Sequence, residues 1–327
     1  MIKQFLGLFL KVFFLVILLP LSTAKAADIG YRIIGGADAP SGRWSSVVAI
    51  KQKYNDEVIC GGNLIHPEWV VTAAHCIRGN IKGLSYSYNS RDLLIYTGSQ
   101  DLFSQSGRNI RVKQVIVNPG YDLKKGSDDI ALIHLEIPVR RAIIPNYNLS
   151  YLAPGEPVVI VGWGARKMTN GEPRNYPNLL NQAVVPIVSR DVCNAPNAYN
   201  GKISERQICA GFSNGGRDSC VGDSGGPLLL LQNGRYRQIG IISYGEGCAR
   251  PNKYGVYTFL PSYADWIYQY VPLPVIADAT PEDTPKIDSP IYAGSFDPAL
   301  LFFFLLIYLC TLKPWHKIIA LWFSYKK

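Results

Sequence analysis

The chain has 327 residues, of which 48% are hydrophobic, and it includes 20 Tyr and 6 Trp. This composition excludes a largely disordered chain, because there is enough apolar and aromatic material for a sizeable core. The net charge of +9 is scattered without a basic run, which argues against nucleic acid as a partner.

Residues 1–26 are predicted to be a signal peptide. Lys3 is followed by an apolar run at 13–21 and by Ala24-Lys25-Ala26, which is typical of a cleavage site. An uncleaved membrane anchor is the alternative, but the run is short for a span. We therefore expect an exported protein.

The cysteines agree with an oxidising compartment. Seven are present, and one of them, Cys310, stands alone near the C-terminus. Six cysteines allow fifteen pairings, so spacing does not decide among them. A metal site is disfavoured because no CxxC pair exists. The six are Cys60, Cys76, Cys193, Cys209, Cys220 and Cys248.

Short β-branched and aromatic runs predict strands at 46–50, 63–71, 93–97, 110–117, 130–135, 158–162, 227–231 and 238–243. Gly, Pro, Asn and Ser separate these runs, which favours a closed or sandwiched antiparallel β architecture. A helix is predicted at 261–270.

The composition then changes. Residues 273–298 are Pro-rich and acidic, which indicates a linker. Residues 299–327 combine an apolar run with basic residues. The run is shorter than the ~20 residues that span a bilayer comfortably. We interpret this segment as a membrane anchor or sorting tail; a buried core helix is the alternative.

Three segments supply what amide hydrolysis without a metal requires: a nucleophile, a base, a group that orients the base, and oxyanion donors. Segment 72–76 (TAAHC) places His75 at a strand end. Segment 128–132 (DDIAL) puts a carboxylate before a buried strand, and segment 222–227 (GDSGGP) surrounds Ser224 with glycines. Each alone is typical of ordinary turns, but together they indicate a catalytic set.

The three segments resemble the chymotrypsin/trypsin family, with His, Asp and Ser in its chain order, and the resemblance defines a domain at 33–272. It implies that Ser224 is the nucleophile, His75 the general base and then acid, and Asp129 the residue that orients His75. The N–H groups of Gly222 and Ser224 would form the oxyanion hole. We interpret the neighbouring Asp128 as a surface residue.

The resemblance also implies the fold and the disulfides. The fold would be all-β, with two six-stranded antiparallel β-barrels of the trypsin type and a C-terminal helix. The implied disulfides are Cys60–Cys76, Cys193–Cys209 and Cys220–Cys248.

Arg32-Ile33-Ile34 looks like the activation junction of the family. Cleavage after Arg32 would remove residues 27–32 as a propeptide, and the new amino group of Ile33 would pair with Asp223. A buried carboxylate is tolerable with such a partner and costly without one.

The resemblance also implies trypsin-like specificity. Asp218 would lie at the base of the S1 pocket, where a carboxylate favours Arg or Lys. Ser219 would add a hydroxyl, and Gly245 and Gly255 would leave room for a long side chain. Ser243 would begin the edge strand that pairs with the substrate backbone.

No cofactor is expected to be required. Tyr254 stands where trypsins commonly have Pro, and family members with Tyr there can bind sodium, so a sodium site is a hypothesis. Calcium is not expected, since Asp101 is the only acid in the corresponding loop, 98–108.

The expected partners are proteins or peptides with Arg or Lys at the cleavage site, protease inhibitors, and a membrane through the tail. The expected location is extracellular or tethered to the cell envelope. Two other functions remain open: a non-catalytic homologue that binds, and a surface adhesion module in which the tail is the functional part. Catalytic turnover would exclude both.

Overall fold

The computed structural model of the protein describes residues 33–81, 83–140, 143, 145–170 and 172–272. The predicted signal peptide, propeptide, linker and tail lie outside these residues, as do Arg32 and Cys310.

Within the described residues the strands are β1 (Ala37–Asp38), β2 (Val47–Gln52), β3 (Val58–His66), β4 (Trp69–Thr72), β5 (Arg78–Ile81), β6 (Leu84–Ser87), β7 (Leu93–Thr97), β8 (Arg108–Val117), β9 (Ala131–Leu135), β10 (Pro157–Gly162), β11 (Lys167–Thr169), β12 (Glu172–Arg174), β13 (Asn181–Val188), β14 (Gln207–Ala210), β15 (Pro227–Gln232), β16 (Arg235–Tyr244) and β17 (Gly255–Phe259). The helices are α1 (Arg190–Cys193) and α2 (Ala264–Tyr268), and the 3₁₀ turns are Ala74–Cys76 and Leu260–Tyr263.

The first barrel is closed and antiparallel, with strand order β2-β3-β4-β9-β8-β7. Side chains alternate between the two faces of each strand. On β2, Val48 and Ile50 point into the core of this barrel, whereas Val47 and Ala49 pack in a cluster with Val159 of β10. Every residue of β2 is buried, and the second barrel covers its outer face at Val47 and Ala49.

The second barrel has the order β13-β10-β15-β16-β17-β14 and closes through the pairing of β13 with β14, while β1 adds to β13. Val158 and Ile160 of β10 lie in its core with Leu228 and Leu230 of β15. The predicted all-β fold, with two six-stranded antiparallel barrels of the trypsin type and a C-terminal helix, is confirmed.

The predicted strand 63–71 was wrong as a single element. β3 ends at His66 and β4 begins at Trp69, and these two residues pair across the turn that contains Pro67. Pro67 and Glu68 interrupt the apolar run at this turn, and a proline inside a predicted strand is the signal that could have revealed it. At the C-terminus, α2 follows the 3₁₀ turn and buries Ile267 against the first barrel.

Three disulfides join Cys60 to Cys76, Cys193 to Cys209, and Cys220 to Cys248. These are the pairs that the family resemblance implies. None of the helices in the described part of the chain is long and apolar enough to cross a membrane.

Candidate active site

His75 lies in the 3₁₀ turn that follows β4. Its backbone N–H donates to Asp129 Oδ1 at 2.9 Å, and its Nδ1 lies 2.8 Å from Asp129 Oδ2. The disulfide of the next residue, Cys76, ties the turn to Cys60 of β3. The imidazole orientation is therefore fixed from both the backbone and the side chain.

Asp129 precedes β9 and is only 3% exposed. Its carboxylate also accepts from the Ser243 hydroxyl at 2.5 Å, and its carbonyl accepts from the Thr258 hydroxyl at 2.8 Å. Burial alone would raise the pKa of Asp129, but His75 and the hydrogen bonds hold that pKa below its ordinary value. Burial would lower the pKa of His75, and Asp129 raises it above its ordinary value. The pair favours an ionised Asp129 beside a basic imidazole.

The bond from Ser243 to Asp129 was missed from sequence. Ser243 was expected to serve the edge strand of the substrate cleft through its backbone; in addition, its hydroxyl donates to the carboxylate of Asp129, which accepts from His75. The two residues are 114 positions apart in the chain, and the sequence contains no signal for this contact.

The segment 222–227 approaches His75 from the second barrel. The carbonyl of Ser224 accepts from Gly61 N of β3 at 2.8 Å. A Cβ on Gly225 would lie 3.1 Å from Cys76 Sγ, so the neighbours of Ser224 and His75 are packed together. No hydrogen bond joins the Ser224 hydroxyl to His75 in this part of the structure. Such bonds are often long in ligand-free enzymes and shorten when the substrate binds.

Gly222 and Ser224 present free backbone donors. Among the backbone hydrogen bonds of the described residues, none has the N–H of Gly222 or Ser224 as its donor. Gly222 has φ +99°, and a Cβ there would lie 3.0 Å from the Cα of Gly164. Glycine is therefore favoured at this position both by the backbone conformation and by the close approach of Gly164. Two adjacent unpaired N–H groups can stabilise a developing oxyanion.

Asp218 is 3% exposed. One carboxylate oxygen accepts from Ala249 N at 2.9 Å, and the other lies 3.5 Å from the Ser219 hydroxyl. Burial raises the pKa of Asp218 to about 7. A carboxylate in this position is poorly stabilised until a cation reaches it.

Glycine at 255 keeps the approach to Asp218 open. A Cβ on Gly255 would lie 2.9 Å from Asp218 Oδ1 and 2.7 Å from the Tyr257 hydroxyl. At Gly245 a Cβ would meet the carbonyl of Gly247 at 3.3 Å, so protein contacts there are looser. Tyr257 was missed from sequence: it is fully buried, and its hydroxyl lies 2.7 Å from where a Cβ on Gly255 would be.

Asp223 is fully buried, and burial raises its pKa to about 6. It accepts from Gly164 N at 2.7 Å and from Cys220 N at 2.9 Å. Within the described ranges no cationic group forms a salt bridge with Asp223. Ile33, expected to provide the partner after cleavage, is fully buried in the core of the second barrel.

This geometry predicts a pH effect on the uncut protein. The folded chain binds a proton at Asp223 more tightly than the unfolded chain does, so the free energy of unfolding falls as pH rises from about 4 to about 6. Melting temperatures of the uncut Ser224→Ala protein should show this fall, and Asp223→Asn in the same background should make it smaller; the part that remains is expected from Asp218, whose pKa is raised to about 7. Equal slopes for both proteins would contradict the role of Asp223.

Asp128, interpreted from sequence as a surface residue, is half-buried at the surface. Its side chain is 17% exposed and pairs with Arg206, which is mostly exposed, at 2.6 Å, and the Tyr263 hydroxyl donates to it at 3.2 Å. These partners lie far along the chain, so the sequence around Asp128 did not indicate these contacts.

The candidate metal positions have other contacts. The carbonyl of Tyr254 accepts from the Tyr199 hydroxyl at 2.6 Å, and the carboxylate of Asp101 accepts from Phe103 N at 3.0 Å. Of the described His, Cys, Asp and Glu side chains, one group is compact enough to hold a metal. Two of its three members, Cys60 and Cys76, form a disulfide.

The chain has two antiparallel barrels. The first carries the His75–Asp129 pair, and the second carries Ser224 between glycines. This arrangement is typical of a serine hydrolase of the two-barrel class. A sequence model of the trypsin family matches residues 33–267. The chain therefore belongs to the trypsin family, and it is a serine protease with protein substrates in general. The three disulfides and the family together indicate an extracellular protein.

Proposed function

We propose that this chain is the secreted zymogen of a trypsin-like endopeptidase that cleaves after Arg or Lys. Asp218 carries the proposal. A buried carboxylate whose pKa is raised to about 7 gains most from a substrate side chain that brings a positive charge. Arg can meet it with a bidentate pair and Lys with an ammonium.

The proposed mechanism assigns to each group the role that the family resemblance implies. His75 Nε2 takes the proton of the Ser224 hydroxyl, whose oxygen attacks the scissile carbonyl carbon. The N–H groups of Gly222 and Ser224 stabilise the oxyanion. His75 then protonates the leaving amine, which leaves an acyl group on Ser224. Water, deprotonated by His75, hydrolyses this ester and restores the serine.

The test is hydrolysis of matched peptide substrates that differ only in Arg, Lys, Phe or Ala before the scissile bond. The protein is first cleaved after Arg32, with Ile33 verified as the N-terminus, and Ser224→Ala is the control. Cleavage after Arg and Lys that is lost in the control supports both the triad and Asp218. Preference for Phe or Ala would contradict the specificity, and absence of turnover would favour a non-catalytic binding protein or an adhesion module.

We also propose that the chain is exported and that residues 299–327 tether it to a membrane or the cell envelope. Terminal sequencing of the mature protein and its distribution between membrane and soluble fractions test this. A mature protein that retains residues 1–26, or that is wholly soluble with an intact tail, would contradict it.

Sodium is proposed as an activator that binds near Tyr254. The backbone there lacks the fixed φ of proline, and the Tyr254 carbonyl has one oxygen contact already, from Tyr199. We expect several-fold higher kcat/KM in sodium chloride than in choline chloride at the same ionic strength. Equal values in the two salts would exclude the site.

A further inference from the structure

A β-hairpin follows His75 directly in the chain. β5 and β6 pair with Gly79 opposite Tyr86, and the Tyr86 side chain lies over Gly79. A Cβ on Gly79 would overlap the Tyr86 hydroxyl, so this glycine gives the ring its position. No strand was predicted at 78–87, so the sequence did not indicate this hairpin.

The Tyr86 hydroxyl donates to the carbonyl of His75 at 2.5 Å. Among the described residues, no other group donates a hydrogen bond to the His75 carbonyl. On its other side, His75 is held by Asp129 at both its N–H and its Nδ1. The peptide units on both sides of His75 are therefore anchored, one by Asp129 and one by the hairpin.

We propose that Tyr86 is a positioning residue for the reaction, because its hydroxyl fixes the backbone from which the His75 imidazole projects. This inference rests on the proposed function. Tyr86 does not touch the reacting atoms; it acts through the carbonyl of His75. Small displacements of a catalytic group lower the rate strongly, since proton transfer needs the imidazole within hydrogen-bond reach of the serine.

The hairpin also supplies a matched control. Tyr88 directly follows β6, two residues after Tyr86. The ring centroids of the two tyrosines are 5.5 Å apart. Its hydroxyl accepts a hydrogen bond from the Gln52 side chain and does not contact His75. Tyr86→Phe and Tyr88→Phe therefore each remove one hydroxyl from neighbouring rings, and only the first removes the contact to His75.

The experiment measures kcat and KM of the cleaved full-length protein with a short Arg amide. Tyr86→Phe should lower kcat about fivefold, the range of one lost hydrogen bond, with KM within about twofold. Tyr88→Phe should keep both constants close to wild type. Equal losses in the two variants would show a general effect of the hairpin and overturn the inference.

A second variant keeps the hydroxyl but displaces it. Gly79 has no positive φ, so Gly79→Ala fits the backbone and moves the Tyr86 ring instead. It should reproduce the kcat loss, and adding it to Tyr86→Phe should cost little more, because both changes remove one contact. If the double variant loses the product of the two single effects, the contact is not the cause.

NMR titration of His75 gives a readout that does not need turnover. Asp129 raises the pKa of His75, so a loosened backbone should lower it in Tyr86→Phe and leave it unchanged in Tyr88→Phe. Identical titrations in these two variants would overturn the inference. A wild-type protein without turnover would contradict the proposed function, while the titration would still decide the role of Tyr86.

Discussion

Replacing Asp129 with Asn is expected to lower kcat by about 10⁴-fold, the magnitude known for the equivalent change in the triad of this family. The carboxylate accepts from His75 N–H, His75 Nδ1 and the Ser243 hydroxyl. An amide has only one acceptor oxygen, so its NH₂ group must face one of these donors. The imidazole then loses the tautomer that can accept the proton of Ser224.

The measurement is kcat for an Arg amide at pH 8, with the melting temperature recorded for each variant. Asp128→Asn is the matched control, because it removes a neighbouring charge that pairs with Arg206 and does not contact His75. It should change kcat less than about threefold. If Asp128→Asn were the more damaging of the two, the identity of the orienting carboxylate would be wrong.

Replacing Asp218 with Asn should lower kcat/KM for Arg and Lys substrates by about 10³-fold, the cost of removing one partner of a buried ion pair. Values for a Phe substrate should change far less. Asp191→Asn, an exposed acid on α1, controls for the general loss of charge. A loss shared equally by Arg and Phe substrates would show damage to the site as a whole and not a loss of specificity.

The same substitution should stabilise the ligand-free protein. The pKa of Asp218 is raised to about 7 in the folded state. Ionising this carboxyl group therefore lowers the free energy of unfolding as pH rises from about 4 to about 7. Asn removes this cost, and the free energy of unfolding at pH 8 should rise by on the order of 2 kcal/mol. Urea unfolding at pH 8 and at pH 4 checks this, since the gain should disappear at the lower pH.

The sequence predicted those parts of the site that lie in short contiguous segments. His75, Asp129 and Ser224 each stand in a distinctive run of five or six residues, and β7 coincides with its predicted range because it consists of aliphatic, aromatic and β-branched residues. The family resemblance made the fold predictable as well.

Contacts between distant segments were not predictable. The Ser243–Asp129 bond and the Asp128–Arg206 pair depend on how the two barrels meet, which no local pattern encodes. The hairpin after His75 was missed because β5 is short and contains Arg78, Gly79 and Asn80, which do not alternate in hydrophobicity. Local propensity is weak for such a strand, and its partner strand and the Tyr86 contact define it.

The division of the site between two barrels has a consequence for the time at which activity first arises. His75 and Asp129 belong to the barrel that is synthesised first, and Ser224 to the one synthesised last. Domains of a growing chain tend to fold in the order in which they emerge. A nascent chain therefore holds the His75–Asp129 pair before Ser224 and the last strands of the second barrel have been made. The order of these residues along the chain thus delays any hydrolysis that depends on Ser224 until synthesis of the domain is nearly complete.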